Sequence, residues 1–358
     1  MFKNIVTSNE DECVKLNSFL ENNSIDNDII SECLMSNGKI KSLKINSYNK
    51  IPQIVIDEIG NNHREIETLE IDSCLEDKIF NFDSFRYLMS LTSLKIFNRN
   101  SYYYNKKIQL RDELFPTGIC KATKLESISF IGFSFKTFPK RLSDLTHLKE
   151  LNLSSNEINE LPNRIGDLTE LVTLNMTNNK ISSIPSRIGD LKKLEYLDLS
   201  RNEISGFPKR ISELTHLKEL NLNENKIEVL PNRIGDLTEL TSLSMTINKI
   251  TSIPSRIGDL KKLKYLNLNY NEINIIPSRF GELINLEKLY LIYNKISIIP
   301  KSFEFLDKVK KIDLRENQLN YLPKQIKVLD SHCEICLSGN PVLDRINDID
   351  AYINCSRD

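Results

Sequence analysis

The residues best placed to do chemistry gather late in the chain, in His332-Cys333-Glu334-Ile335-Cys336 with Cys355 beyond. A C-x-x-C pair with a histidine and a third cysteine could supply four zinc ligands. The local pattern opposes this. Ile335 and Leu337 occupy alternating, strand-like positions, so Cys333 and Cys336 should point in different directions, and no metal is expected. The remaining cysteines, Cys13, Cys33, Cys74 and Cys120, are scattered, and the total of seven is odd. Free, buried thiols are the expectation, with a Cys13–Cys33 pair as the alternative. No H-E-x-x-H, Walker loop, G-x-G-x-x-G or nucleophile with a sequence-adjacent base occurs, so neither a catalytic site nor a cofactor is expected.

Composition narrows the field further. Among 358 residues, 48 basic side chains balance 49 acidic ones for a net charge of -1, which gives no support to a nucleic-acid or polybasic membrane partner. With 40% hydrophobic and 27% charged residues the chain should be ordered. Only 11 glycines are present, too few for glycine-rich phosphate loops or flexible linkers.

What positions any functional residue is a frame of 23 residues. It opens at Leu125, Leu148, Leu171, Leu194, Leu217, Leu240, Leu263, Leu286 and Val309, with a degenerate copy from His332. Eight residues on stand Asn156, Asn179, Asn202, Asn225, Asn248, Asn271, Asn294, Asn317 and Asn340. Ten of the 12 prolines also obey the frame, from Pro116 to Pro323. In Leu151-Asn152-Leu153 two leucines flank a polar residue at period two, so one face of a short strand enters the core and the other meets solvent. His147 and His216 share one frame position on the outer side and read as repeat decoration.

The motif L-x-x-L-x-L-x-x-N-x-[IL], repeated in register, resembles the leucine-rich repeat, in a uniform form like that of certain bacterial repeat proteins. Looser copies open at Ile40, Ile66 and Leu91, so the resemblance covers residues 40 to 340 in about 13 units. These copies and the one from Leu125 hold Tyr48, Cys74, Arg99 and Phe133 at the Asn position. The resemblance implies an α/β leucine-rich-repeat solenoid, a right-handed curved horseshoe of about 13 parallel concave strands with short helical or 3₁₀ turns on the convex side. It also implies inward-turned asparagines that satisfy the backbone of adjacent coils.

A solenoid needs covered ends. Residues 1–38 are expected to form a helical cap. Its first helix would follow Ser8 or Asn9 and use Cys13, Leu16, Phe19 and Leu20; its second, about Asp26 to Met35, would stop at Asn37-Gly38. Residues 39–340 form the solenoid, and 341–358 a C-terminal capping helix with Ile346, Ile349, Tyr352 and Ile353 at helical spacing. An insertion near 99–114 lengthens one unit to 34 residues and carries Tyr102, Tyr103 and Tyr104. Residues 148–193 and 217–262 agree at 36 of 46 positions, with one copy displaced by three repeats, the mark of duplication within the gene.

Outward positions of the strands hold mainly Ser, Thr, Asn or charge. Against this background Tyr265, Tyr290 and Ile292 fall on neighbouring strands, flanked by Tyr270 and Tyr293 at the strand exits, with Tyr196 three strands away. Exposed tyrosines suit a binding hot spot, and equally a ladder that stabilises the sheet. Phe97 and Ile131, near the tyrosine-rich insertion, make a second candidate. Asp198 with Arg201, and Asp313 with Arg315, are expected to neutralise each other. The resulting expectation is a non-catalytic module, monomeric, that binds a protein partner through its concave sheet; a self-assembling structural protein is the rival. Bacterial proteins with similar repeats often engage host proteins, which implies a host protein as one partner. The first residues, Met1 to Val6, lack an apolar signal segment, which makes the cytoplasm the default compartment and a removed signal or another export route the alternative.

Overall fold

The structure is a computed structural model and describes residues 11–74, 82–99, 117–324, 326, 329 and 333–345. The chain divides into two compact units, residues 1–158 and 159–358.

The first unit begins with helix α1 (Glu12–Asn22), whose N-cap Asp11 accepts a hydrogen bond from the Cys13 N–H at 3.0 Å. Helix α1 buries Leu16 and Leu20. Strand β1 (Ile30–Ser36) then pairs antiparallel with β2 (Lys39–Lys50). A second helix was expected over these residues. Asp26 caps only a single 3₁₀ turn, Asn27–Ile29, and Asn37-Gly38 is a hairpin turn, with φ of 53° and 74°, that sets Ser36 opposite Lys39. Leu34, expected inside, is exposed. The hairpin brings Cys33 to Cys13 with their Cα atoms 6.3 Å apart, and the two form a disulfide in place of free thiols. Cys336 is disulfide-bonded as well, while Cys120 and Cys333 are not in disulfides, and the Cys333 thiol donates to Glu334 O at 3.6 Å. Burial pushes the Cys120 thiol up to about 11, which leaves it unreactive.

Helix α2 (Gln53–Asn62) follows, burying Val55, Ile56 and Ile59, and then come β3 (Thr68–Cys74), β4 (Ser93–Asn98), β5 (Ser127–Ile131) and β6 (Glu150–Asn152). From β2 to β6 each strand lies parallel to the next. Two of the non-Asn frame residues find other solutions. Arg99 makes a bidentate pair with Asp72 at 2.6 and 2.7 Å and donates to Asn46 at 3.0 Å. Phe133 joins a buried cluster with Phe82, Phe130 and Phe135.

The second unit contains β7 (Thr173–Asn175), β8 (Tyr196–Asp198), β9 (Glu219–Asn221), β10 (Ser242–Ser244), β11 (Tyr265–Asn267), β12 (Lys288–Tyr290), β13 (Lys311–Asp313) and β14 (Glu334–Cys336). All eight are parallel, paired in chain order and in a constant register of 23 residues. With the five of the first unit they make 13 parallel strands among the described residues, as the frame predicts. The return side of each coil is a 3₁₀ turn opened by a frame proline, such as Pro231 before Asn232–Asp236; proline fits because that position needs no N–H donor. Frame glycines let the coils close up: a Cβ on Gly258 or Gly281 would overlap the carbonyl oxygen of Arg279 or Ser302 in the next coil.

The asparagine column holds the coils together. Asn225 is buried; its amide donates to the carbonyls of Leu199 (3.0 Å) and Leu222 (3.1 Å), and its Oδ1 accepts from the Ile204 N–H (2.9 Å). Asn202, Asn271, Asn294 and Asn317 do the same one coil apart. Each side chain thereby satisfies three backbone groups that water cannot reach.

On the outer side an ion-pair ladder links the coils. Arg187 bridges Asp167 and Asp190, Arg210 bridges Asp190 and Glu213, Arg256 bridges Asp236 and Asp259, and Arg279 bridges Asp259 and Glu282. The Arg210 guanidinium, helped by Lys192, holds the Glu213 carboxyl down at about 2, and Arg279 with Lys261 does the same for Glu282. The ladder ends where Ser302 and Phe305 replace the arginine and the acid, leaving Phe305 exposed.

The expected capping helix of residues 346–358 lies outside the described residues, as do Ser8 and Asn9.

Two outcomes follow from this construction. Asn225→Ala removes one amide and strands its partners, so it should destabilise the fold by about 1–3 kcal/mol, read as a lower melting temperature in a thermal scan. The ladder carboxylates have folded pKa values below their unfolded ones, so their stabilisation is complete above the unfolded value near 4.5 and disappears as pH falls toward 2. Melting temperature should therefore drop across that window, and less steeply in an Arg210→Ala, Arg279→Ala variant.

Candidate functional site

Every strand of the second unit turns its central residue inward, so Leu266 and Leu289 are fully buried and the flanking residues face outward. Register places Tyr265 opposite Lys288 and Asn267 opposite Tyr290. Tyr265 and Tyr290 are therefore diagonal neighbours, and their rings meet at 5.6 Å between centroids with a 49° tilt. Ile292 lies two residues beyond Tyr290, its N–H held by Asn269 Oδ1 at 2.7 Å. At the strand exits Tyr270 and Tyr293 stack at 4.8 Å and 20°. Of the residues expected to form one patch, the structure brings Tyr265 against Tyr290 and Tyr270 against Tyr293. Tyr196, on β8, stays apart, with β9 and β10 between it and Tyr265.

One member of the patch escaped the sequence reading. Ile247 precedes Tyr270 in the same frame position, and Ile247, Tyr270 and Tyr293 are 50%, 49% and 48% exposed on three successive coils. Its frame position, shared with Tyr270 and Tyr293, is the signal in the sequence that marks it. The backbone of this column is left-handed throughout, with φ of 57° at Asn178, 55° at Arg201, 53° at Glu224, 56° at Ile247, 54° at Tyr270, 53° at Tyr293 and 54° at Glu316. An L-residue there loses about 1–2 kcal/mol, most for a β-branched side chain and least for Asn or Gly. The N–H groups of Ile247 and Tyr270 still pair with the next coil, at Asn269 O (3.0 Å) and Ile292 O (2.8 Å), so the conformation belongs to the coil and not to the side chain.

Charge around the patch is mostly compensated. Arg315 is locked on Asp313 at 2.6 to 3.1 Å, which matches expectation and holds the guanidinium pKa above its usual value. The other expected pair is replaced: Arg201 reaches Glu224 on the next coil at 2.9 Å, while Asp198 accepts from Asn221 and from Ser200. That exchange is favoured because neighbouring coils stand side by side in register, whereas Asp198 and Arg201 sit at opposite ends of a strand exit. Lys311 and Asp313, outward by position, are buried, so the open face stops at β12. Phe97 and Ile131 are opposite each other on β4 and β5, both half-buried. Tyr102, Tyr103 and Tyr104 lie outside the described residues.

Among the described residues no cluster of three His, Cys, Asp or Glu side chains could hold a metal ion, and no helix is long and apolar enough to cross a membrane. Cys336, part of the C-x-x-C pair at metal-like spacing, is disulfide-bonded and not a free thiol as expected.

A leucine-rich repeat region model matches residues 132–218 and 186–264, and a second leucine-rich repeat model matches residues 238–296. Residues 132–296 are leucine-rich repeats, and the fold is a leucine-rich-repeat solenoid. Its fold is similar to that of a leucine-rich-repeat protein of Leptospira interrogans, with 29% identity over 88% of this chain and 83% of that one and a TM-score of 0.72. It also resembles the plant peptide hormone receptor RGFR1 in complex with RGF2, at 25% identity and a TM-score of 0.67, covering 84% of this chain and about half, 48%, of that one. An internalin of Listeria monocytogenes shares the fold at 19% identity and a TM-score of 0.63, over 89% of this chain and 92% of that one. No curated protein sequence matches the chain. For a leucine-rich-repeat protein, the aromatic patch on β11 and β12 is the feature that departs from the plain repeat, since most other outward positions of the second unit are small, polar or charged.

Proposed function

We propose that this leucine-rich-repeat protein is a protein-binding module whose contact surface centres on Tyr265, Tyr290 and Ile292, with Tyr270, Tyr293 and Ile247 at its margin. The observation that supports the reading is that Tyr265 meets Tyr290 and Tyr270 meets Tyr293 across the same two coils, on a face whose other outward residues are mostly small, polar or charged. Amphipathic rings offer contact area at small entropic cost, and rigid strands leave little to be ordered when a partner docks. A purely stabilising role for the rings is the weaker account, because a sheet gains only about 0.5–1.5 kcal/mol from each aromatic pair and Ile247 adds strain without an aromatic contact. The structural relative that holds a peptide hormone supports a protein ligand for this fold.

The test is selection of a random peptide display library on the immobilised full chain. Wild type should enrich defined sequences, and a Tyr265→Ala, Tyr290→Ala variant should bind the selected peptides at least about tenfold more weakly, near 1.4 kcal/mol, with melting nearly unchanged. Selected peptides that bind the variant as well as wild type would end this assignment of the surface.

A further inference from the structure

Asn37-Gly38 is the one Asn-Gly dipeptide in the sequence. Both residues are exposed at the tip of the β1–β2 hairpin, with φ of 53° and 74°. The frame asparagines are sheltered by comparison. Asn225 is buried, its amide nitrogen donates to the carbonyls of Leu199 and Leu222, its oxygen accepts from the Ile204 N–H, and the residue after it is Lys226, with a full side chain. Asn37 and Gly38 have none of these restraints. A Cβ on Gly38 would meet nothing within 4 Å, and among the described residues neither the Gly38 N–H nor the Asn37 side-chain amide makes a hydrogen bond.

The seating of the N-terminal cap hangs on this turn. The Gly38 carbonyl accepts from the Glu12 N–H at 3.2 Å. The next two residues close on the same side chain: Lys39 Nζ reaches Glu12 Oε1 at 2.7 Å, and the Ile40 N–H donates to Glu12 Oε2 at 3.0 Å. Glu12 is buried, and Nδ1 of His63, at the end of α2, stands 3.4 Å from Oε2. A buried carboxylate needs the donors around it. The length of backbone between Ser36 and Ile40 therefore decides whether α1 stays in place.

We infer that Asn37-Gly38 is a site of spontaneous deamidation, with water as the co-reactant, and that the modification loosens the N-terminal cap. The Gly38 amide nitrogen, which has no neighbouring Cβ to crowd it, attacks Asn37 Cγ. The new N–C bond closes a succinimide, the bond from Cγ to Nδ2 breaks, and ammonia leaves with the proton that Gly38 gives up. Water then adds to one of the two ring carbonyls and cleaves its bond to the ring nitrogen; nothing is oxidised or reduced. Opening at Cγ leaves aspartate, which tolerates a left-handed backbone as asparagine does. Opening at the main-chain carbonyl leaves isoaspartate, whose main chain runs through the former side chain and is one methylene longer. A two-residue turn that sets Ser36 opposite Lys39 has no place for the extra atom. The added length shifts Gly38 O and the Lys39 and Ile40 donors against Glu12, and a solenoid whose end cap is displaced exposes its apolar cross-section.

The full chain, aged at mildly alkaline pH and sampled by peptide mass spectrometry and by enzymatic methylation of isoaspartate, tests the inference. The peptide holding Asn37 should gain the mass of an amide-to-acid exchange and become a methyl acceptor before any peptide holding a frame asparagine, and Gly38→Ala should stay unmodified over the same period. The aged chain should melt below the fresh one. Asn37→Asp, which carries the new charge on a backbone of unchanged length, should melt near fresh wild type. Frame asparagines that react as fast as Asn37, a Gly38→Ala chain that reacts as fast as wild type, or an Asn37 that stays intact while a synthetic peptide of residues 35–40 is converted would each overturn the site. An isoaspartate-containing chain that melts like the fresh one, or an Asn37→Asp chain that melts as low as the aged one, would overturn the effect on the cap.

Discussion

From Asn156 onward, the regular coils depend on one inward-turned asparagine amide each. A 23-residue turn cannot close without bending the chain sharply after each strand, and such a bend leaves backbone donors and acceptors inside the core with no water to serve them. Asparagine at the frame position answers both needs, presenting two N–H donors to carbonyls and one oxygen to an amide N–H. Leucine or serine at the same place would fill the space or supply one bond, not three. The proline-opened 3₁₀ turns and the close-approach glycines then follow from the spacing that the asparagines impose.

Functional surface and structural frame are separated in sequence by this arrangement. Inward positions are fixed by packing and hydrogen bonding, while outward positions contribute little to stability and are available for recognition. The contact patch proposed on β11 and β12 draws on that freedom, since the inward Leu266 and Leu289 belong to the core and not to that face. Ile247 is the exception, since it adds apolar surface at a position where the backbone itself prefers another residue.

Much of this was legible in the sequence because it repeats. The strand register, the inward asparagines, and the diagonal meeting of Tyr265 and Tyr290 all follow from counting in a frame of 23. Where the repeat is absent, sequence reasoning had only local signals, and these were ambiguous. Asn37-Gly38 can end a helix or turn a hairpin, and the apolar spacing of Ile29, Ile30, Cys33 and Leu34 suits a helix; pairing with β2 decided for the hairpin, which in turn brought Cys33 to Cys13. Helix α2, in a coil with a loose motif, gave no frame signal. The ion-pair ladder was hidden for a different reason: its partners are 20 residues apart across coils and three within a turn, a relation that only the geometry of the return segment reveals.

Because each asparagine reaches only into the coil before it, and each ladder arginine only to adjacent turns, the junctions between the regular coils of the second unit are chemically much alike. The natural step of change for such a chain is therefore a whole coil. A recombination event that inserts or deletes three coils, of the kind recorded by residues 148–193 and 217–262, creates no unfamiliar interface and needs no compensating substitution. It moves the residues beyond it by about 14 Å along the stacking direction. The distance between two contact points on the surface can in this way be reset in one event, as a ruler is lengthened by whole divisions, while the chemistry at each point stays as it was.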